Sequence, residues 1–509
     1  MRRGLVLLFL LWSAPAWAQT NFFSLQDWRS DVPEDFYTNG SLVKFNGTSW
    51  ICSHMTSCPV SAGDPSVNHQ WNALSGLLAW DSGVSYSPND MIMRNGTTFS
   101  ALAPNSNVDP AGGAFPTVWR ARGVPNAVTF VPAGATNVSP TFQIQAAFDA
   151  TPAGGIVQFD CAAFSLSSVI TVSKTLTVRG CGMNSTVLNT TTRAFSFTSA
   201  SRSSVSDLAI KGGSGDGIDV DLSDFFRIQN VYFQNQGNGV SFTSTAYAWV
   251  VNSHFENGGF GVSVDYTSTP DAGDGTMYGN VFVGQTVANI RVTNSGGWRI
   301  ENNKLLQSSG TDLIVTATAA SFSTGVYIIG NSIENCSVAC ISITGSAPGS
   351  VTVPVIVGNE ISPLASAPAI TVSGNAFSGV ISGNNIVPIS GTGVNIGSGA
   401  SDWVVVGNTI VGASSGGTGI SVASSVTGTK ITGNSFNALV TTRYSLSTSG
   451  TLISDNSGFV FSGLPSSAAD GSMVWCSNCS LTGNMSMCSA SGGTVGTMAT
   501  RISGSWRCQ

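Results

Sequence analysis

Eleven carboxylates lie between Asp207 and Asp312, whereas only Glu334, Glu360, Asp402 and Asp455 follow before residue 457. Charged residues make up 9% of the chain, so a neutral scaffold does not need such a cluster. Paired carboxylates suit one kind of chemistry: one protonates a glycosidic oxygen while the other activates water. Asp219, Asp221 and Asp265 have the spacing for that work. A second chemistry, removal of a proton beside a sugar carboxylate, needs a base and a cation. His254, the one histidine after residue 124, supplies the base, with Glu256 beside it, Tyr232 nearby and Arg291 or Lys304 as cation. Rings in the same window, Tyr232, Trp249 and Tyr266 among them, are of the type that stacks on sugars.

These residues must be positioned by strands. Gly217-Ile218-Asp219-Val220-Asp221, Gly239-Val240-Ser241-Phe242-Thr243 and Gly261-Val262-Ser263-Val264-Asp265 repeat at 22 residues, and Asn289-Ile290-Arg291-Val292-Thr293 follows at 28. Period-2 alternation sends Ile218, Val220, Val240, Phe242, Val262, Val264, Ile290 and Val292 inward. One outer column is then Asp219, Ser241, Ser263, Arg291; its neighbour is Asp221, Thr243, Asp265, Thr293. Strands stacked about 4.8 Å apart would put Asp221 and Asp265 roughly 9 to 10 Å apart at the backbone. Aligning Asn230, Asn252, Asn280 and Asn302 predicts a further column in which His254 lies beside Tyr232, Phe282 and Lys304. The extra residues of the longer coil, Tyr266 to Met277, read as a protruding loop carrying Asp271 and Asp274.

Gly-Asn followed by Ile or Phe, or a near variant, recurs at Asn280, Asn331, Asn359, Asn384, Asn408 and Asn434, the last steps being 28, 25, 24 and 26 residues. Periods of that size mean stacked coils, and the short alternating runs between Gly, Asn and Ser fit three strands per coil. Recurrent Asn at one turn fits a ladder of amides along the stack. Upstream, Thr141 to Ala150 has the apolar spacing of a short helix, followed by Gly154-Gly155-Ile156-Val157-Gln158-Phe159 and Gly180-Cys181-Gly182. That order resembles the opening of pectate-lyase-like right-handed parallel β-helices, including rhamnogalacturonase-like enzymes and phage tailspikes. The resemblance implies an all-β solenoid whose helix caps its first coil, a polysaccharide as partner and, from the tailspikes, a homotrimer. The Gly-His-Gly and Asp-Asp motifs of polygalacturonase-like members are absent, so no catalytic residue transfers by motif. No cofactor is expected; the acids are of a kind that binds calcium, but no motif fixes them.

Residues 20 to 120 contain two copies of a smaller unit. From Tyr37 and Tyr86, Asn-Gly comes nine residues on, an aromatic thirteen on, and Asp-Pro and Trp close the copy. Each Asn-Gly separates alternating runs, Leu42 to Phe45 from Thr48 to Cys52 and Met91 to Arg94 from Thr97 to Ala101, which predicts tight hairpins. The layout resembles small chitin- and cellulose-binding modules. It implies sugar stacking on Trp28, Trp50 and Trp80.

The first residues, Met1-Arg2-Arg3-Gly4, an apolar run from Leu5 to Trp12 and Ala16-Trp17-Ala18, have the form of a signal peptide over 1–18. Export would place the protein in an extracellular or periplasmic compartment, and no later apolar run is long enough to span a membrane. Oxidation then pairs the ten cysteines locally: Cys52 with Cys58, Cys161 with Cys181, Cys336 with Cys340, and Cys476, Cys479, Cys488 and Cys508 among themselves. Cys476-x-x-Cys479 alone has zinc-ligand spacing, but the other two do not repeat it, so no metal is expected. A net charge of −6 gives no basic field for nucleic acid. The expected organisation is two binding-like modules at 19–76 and 77–123, a β-helix over 124–456 and a small Cys-rich module over 457–509.

Overall fold

The computed structural model describes residues 128–509 apart from 138–142, 267–272, 319–321, 415, 448–449, 460–462, 481–485, 491–495 and 509; before residue 128 it describes little beyond short strands. The chain divides into two units, 1–124 and 125–509.

In the first unit Leu42–Phe45 pairs antiparallel with Thr48–Cys52, and Trp71–Ala73 adds a third strand through Cys52 opposite Trp71. Met91–Arg94, Thr97–Ala101 and Trp119–Arg122 repeat the arrangement, with Ala101 opposite Trp119. Asn46-Gly47 and Asn95-Gly96 are therefore the two-residue hairpin connections that the spacing predicts. Trp28, Trp80 and Cys58 lie outside the described residues; Trp50 is described only as a strand position opposite Val43.

The second unit is the expected parallel β-solenoid. A 12-stranded parallel sheet carries one leg of each coil, and a 29-stranded sheet carries the other two legs before running into antiparallel strands near the C-terminus. The inward residues predicted from alternation, Ile218 through Val292, are all fully buried. The helix spans Gln143–Ala150 and buries Ile144 and Phe148. Phe148 meets Phe159 and Phe195 at ring-centroid distances of 6.2 and 5.7 Å, so the helix closes the first coil with apolar contacts. At the other end Cys476, Cys479, Cys488, Trp506 and Cys508 join the same buried core, which makes the Cys-rich segment a lid on the last coils. Cys161–Cys181, Cys336–Cys340, Cys476–Cys479 and Cys488–Cys508 are disulfides, so none of these sulfurs is a thiolate able to hold zinc. Among the described residues no helix is long and apolar enough to cross a membrane.

The turn between the two legs of the larger sheet corrects one alignment. Asn230, Asn252, Gly279, Asn302 and Gly330 all have positive φ there, a conformation that Gly and Asn accept. Gly279, not Asn280, is thus the partner of Asn252 and Asn302. Asn280 belongs one residue later, in a buried ladder in which Asn280, Asn303, Asn331, Asn359, Asn384 and Asn408 each donate through Nδ2 to Oδ1 of the next, ending on Asn434, at 2.9 to 3.0 Å. The shift places Val281 beside His254, while Phe282 turns inward against Phe255. A stack of Phe233, Phe255 and Phe282 with centroids 4.8 and 4.6 Å apart fills that interior.

Candidate functional site

The strand Ile218–Asp221 buries Ile218 and Val220 and turns Asp219 and Asp221 outward. Both predicted columns are present: Asp219 is followed by Ser241, Ser263 and Arg291, and Asp221 by Thr243, Asp265 and Thr293. One strand, carrying Thr243, separates Asp221 from Asp265.

Asp219 is held from the preceding coil. Arg193 Nη1 donates to its Oδ2 at 2.7 Å and Nη2 reaches Asp216 Oδ2 at 3.2 Å, while Asn238 Nδ2 donates to Asp216 Oδ1 at 2.6 Å. Burial nevertheless outweighs the guanidinium and lifts both carboxyls above the ordinary aspartate range; the charges of Asp216 and Asp221 add to the lift at Asp219. A carboxyl whose pKa is raised, with a second acid on its own strand and a third two coils on, is the arrangement that donor-and-base chemistry needs. Arg291 closes the face at the other end. Its Nε and Nη2 donate to Ser263 Oγ at 3.2 and 2.8 Å, and its guanidinium lies 4.2 Å from the Phe260 ring centroid.

A second cluster lies on the larger sheet. The Tyr232 hydroxyl donates to Glu256 Oε2, and His254 Nε2 is 3.9 Å from the same oxygen. Tyr232 and His254 meet edge to face at 5.1 Å, with Lys211 Nζ 5.2 Å from the tyrosine ring centroid. Burial, with Glu256 adding, pushes the Tyr232 hydroxyl up to about 12. Burial pulls His254 below its ordinary value, against the opposing pull of Glu256, which keeps the imidazole neutral and able to accept a proton. Lys304 stands in the His254 column, two coils on. Arg291 is on the other sheet, so the predicted pairing of His254 with Arg291 is not formed, whereas His254 with Lys304 shares one face.

The rings require correction. Tyr266 is fully buried: the chain after Asp265 turns its ring inward, under Gly273, where a methyl group would come within 2.7 Å of it. It is a core residue with a hydroxyl lifted further by burial. The protruding loop is correspondingly shorter than predicted, because Gly275–Tyr278 is a strand with Met277 buried; Asp271 lies outside the described residues. Trp249 does face outward, half-buried, 6.4 Å from Phe225. Sequence reasoning passed over Phe225 and Tyr247 as binding rings, although they stand one 22-residue period apart; they stack at 4.8 Å and 13° and are 43% and 44% exposed.

The acid cluster is likewise smaller than its count. Asp312 is fully buried and bonded by Asn289. The Asp224 carboxylate accepts from the Ala246 amide and that of Asp207 from Asn230, both between successive coils.

Residues 193–377 match the family model described as "Right handed beta helix region". A search of curated proteins returns no match. Among solved structures the chain is similar to the catalytic unit of a thermostable GH87 α-1,3-glucanase from Streptomyces thermodiastaticus strain HF3-3, at 13% identity over 63% of this chain and 68% of that one, TM-score 0.51. It is similar to the A-module of the Azotobacter vinelandii mannuronan C-5 epimerase AlgE4, at 16% identity over 60% and 92%, TM-score 0.50. The Dettilon tailspike protein matches at 14% identity over 64% and 70%, TM-score 0.46. At such identities the likeness is one of fold. Stacked three-stranded coils, an asparagine ladder, a capping helix and the matched region together make this a right-handed parallel β-helix protein.

Proposed function

We propose that the protein is an exported polysaccharide-acting enzyme that hydrolyses glycosidic bonds on the face of Asp219, Asp221 and Asp265. The observation that carries the reading is the outward triad itself: a carboxyl that burial makes a weaker acid than an ordinary aspartate, a second acid on the same strand, and a third across the Thr243 coil. Asp219 protonates the leaving oxygen. Asp221 takes the proton of the attacking water, which Asp265 fixes from the far side. Asp219 and Asp221, two residues apart on one strand, are separated by about 6.6 Å at the backbone, within the roughly 6.5 to 9.5 Å at which an acid and a base leave room for a water. The names of two structural neighbours, a glucanase and a mannuronan epimerase, are consistent with a polysaccharide substrate. The four disulfides and the signal-like start support export. The N-terminal hairpin modules, with Trp28, Trp50 and Trp80, tether the solenoid to its substrate and raise its local concentration.

One observation favours a second reading. His254, held neutral by burial and in one column with Lys304, has the base and cation of a β-elimination. Incubating the protein from residue 19 onward with acidic and neutral polysaccharides separates the two. New reducing ends without unsaturated-uronate absorbance, lost in Asp221→Asn and Asp265→Asn while binding persists, is the expected result. Absorbance that disappears in His254→Ala would move the chemistry to the other sheet. Binding across the panel with neither signal would make the protein a non-catalytic, adhesin-like binder.

A further inference from the structure

A third outward feature lies away from the acid face and from the histidine cluster, at the corner where each coil passes from the smaller sheet to the larger one. Arg202, Phe225 and Tyr247 occupy this corner in three successive coils with φ of 63°, 59° and 55°. Bulky residues are outliers in the left-handed region. Later coils carry Gly297, Gly325, Val353, Ser378, Asp402 and Gly428 at the same corner, again with positive φ, so all but one are small or polar. The rings are therefore not what the turn requires. Nor do they serve the core, being 43% and 44% exposed.

The rings form a platform instead. Phe225 and Tyr247 stack face to face at 4.8 Å, Trp249 adds a third ring 6.4 Å from Phe225, and Arg202 lies over Phe225 at 5.7 Å. Arg227, exposed, is the cross-strand neighbour of Trp249. Further along the same corner Asp274 follows Tyr247, its carboxylate lying over Gly297. Gly297 and Gly325 floor an open cavity of about 520 Å³ walled by Asp274, Arg299, Phe322, Thr324 and Tyr327. That volume is in the range of about 300 to 1,000 Å³ typical of small-ligand sites. Arg299 lies over Tyr327 at 5.2 Å and is fixed by Glu301 at 2.5 Å, and Phe322 is 47% exposed.

We infer that this corner is a saccharide-binding subsite in which sugar rings stack on Phe225, Tyr247 and Trp249, carboxylated sugars meeting Arg202 and Arg227, and the chain continues into the Gly297–Gly325 trough. Arg202 and Arg227 stand together at this corner in a chain with only 20 Lys plus Arg. Among the described residues neither Arg202 nor Arg227 is in an ion pair, and the guanidinium is the side chain best shaped for a carboxylate. The subsite rests on the proposed action on polysaccharides and specifies a substrate class for it, chains containing uronic acids, held along the solenoid axis beside the acid face.

Asn accepts positive φ, so Phe225→Asn, Tyr247→Asn and Gly325→Asn alter the surface while keeping the corner, which unchanged thermal melting of each variant verifies. Hexamers of oligogalacturonate and oligomannuronate, with cellohexaose as neutral control, are titrated calorimetrically against the protein from residue 19 onward. At least one uronate hexamer is expected to bind more tightly than cellohexaose. Its affinity should fall about tenfold in Tyr247→Asn and in Gly325→Asn, consistent with one lost ring stack at about 1 kcal/mol or more, and stay unchanged in Asn385→Ala, an exposed position outside the acid face and the corner. The inference is overturned if no hexamer binds, if cellohexaose binds as tightly as either uronate, or if both corner variants retain full affinity. Should cleavage depend on Asp221 while the corner variants bind normally, the hydrolase reading stands and the subsite falls; uronate binding lost at the corner with cleavage indifferent to Asp221→Asn gives the reverse.

Discussion

Arg193 reaches across one coil to hold Asp219 at 2.7 Å, yet Asp219 still keeps its proton more tightly than an ordinary aspartate, because burial outweighs the guanidinium. If Asp219 is the proton donor, activity declines as pH rises through its elevated pKa. Arg193→Ala removes the one cation that lowers that value, so the alkaline limb of the kcat/KM profile should move to higher pH. A limb that stays in place or moves down would separate Asp219 from the acid role.

The asparagine ladder makes a sharper claim about stability than about activity. Asn359 donates to Asn384 Oδ1 and to the Ile328 carbonyl, both at 2.9 Å, and accepts from the amide of Asn331 at 2.9 Å, all buried. Asn359→Ala orphans several of these groups at about 1 to 3 kcal/mol each, so a loss of roughly 3 kcal/mol or more in urea unfolding is expected. The next-coil neighbour of Glu360, exposed Asn385, should tolerate Ala within about 0.5 kcal/mol.

Gly239 has ordinary backbone angles but no room. A methyl group there would lie 2.5 Å from Phe255 Cδ1 and 2.6 Å from the Gly261 carbonyl oxygen. Gly239→Ala should therefore push apart the stack of Phe233, Phe255 and Phe282 and cost about 1 to 3 kcal/mol, readable as a lower unfolding midpoint and as faster proteolysis within residues 230–290.

Asp312 titrates far from the surface acids. Burial raises it from 3.8 to about 7, against hydrogen bonds from Ser308. A carboxyl raised on folding contributes stability that is complete below its unfolded value and is lost as pH rises through the folded one. Stability should thus fall between about pH 4 and pH 8 by an amount on the order of 4 kcal/mol at most. Asp312→Asn, which keeps an oxygen for Asn289, should flatten that decline. Equal slopes for the two proteins in denaturant titrations at pH 5 and pH 8 would refute the assignment.

What the sequence disclosed and what it hid divide along a physical line. Alternation and a constant 22-residue step predict the outer columns of Asp219 and Asp221 to the residue, because a one-residue slip would expose a whole hydrophobic row. The pairing of Leu42–Phe45 with Thr48–Cys52 and of Met91–Arg94 with Thr97–Ala101 is equally legible, since alternating runs two residues apart favour an antiparallel pair. The asparagine column was misaligned by one where Gly279 takes the left-handed place that Asn252 and Asn302 take elsewhere: two residue types satisfy one backbone need, and identity matching cannot tell them apart. Tyr266 was misassigned because nothing in a loop's composition says whether its first ring folds in or out. The 22-residue step from Phe225 to Tyr247 is visible in the sequence, but what sets the corner platform apart from core rings, its positive φ and its exposure, is not.

The strand register has a consequence for chemistry itself. Because Asp221 and Asp265 share a column with one strand between them, their separation is quantised: it can change only in whole steps of about 4.8 Å, each written in the gene as one 22-residue block. Excising the block that carries Thr243 would bring the two acids onto adjacent strands, about 4.8 Å apart, and close the space in which Asp265 holds the water that Asp221 activates. Access of water to this face would then be set by the number of coils between two acids, a property that insertion or deletion of a repeat can edit without touching either side chain.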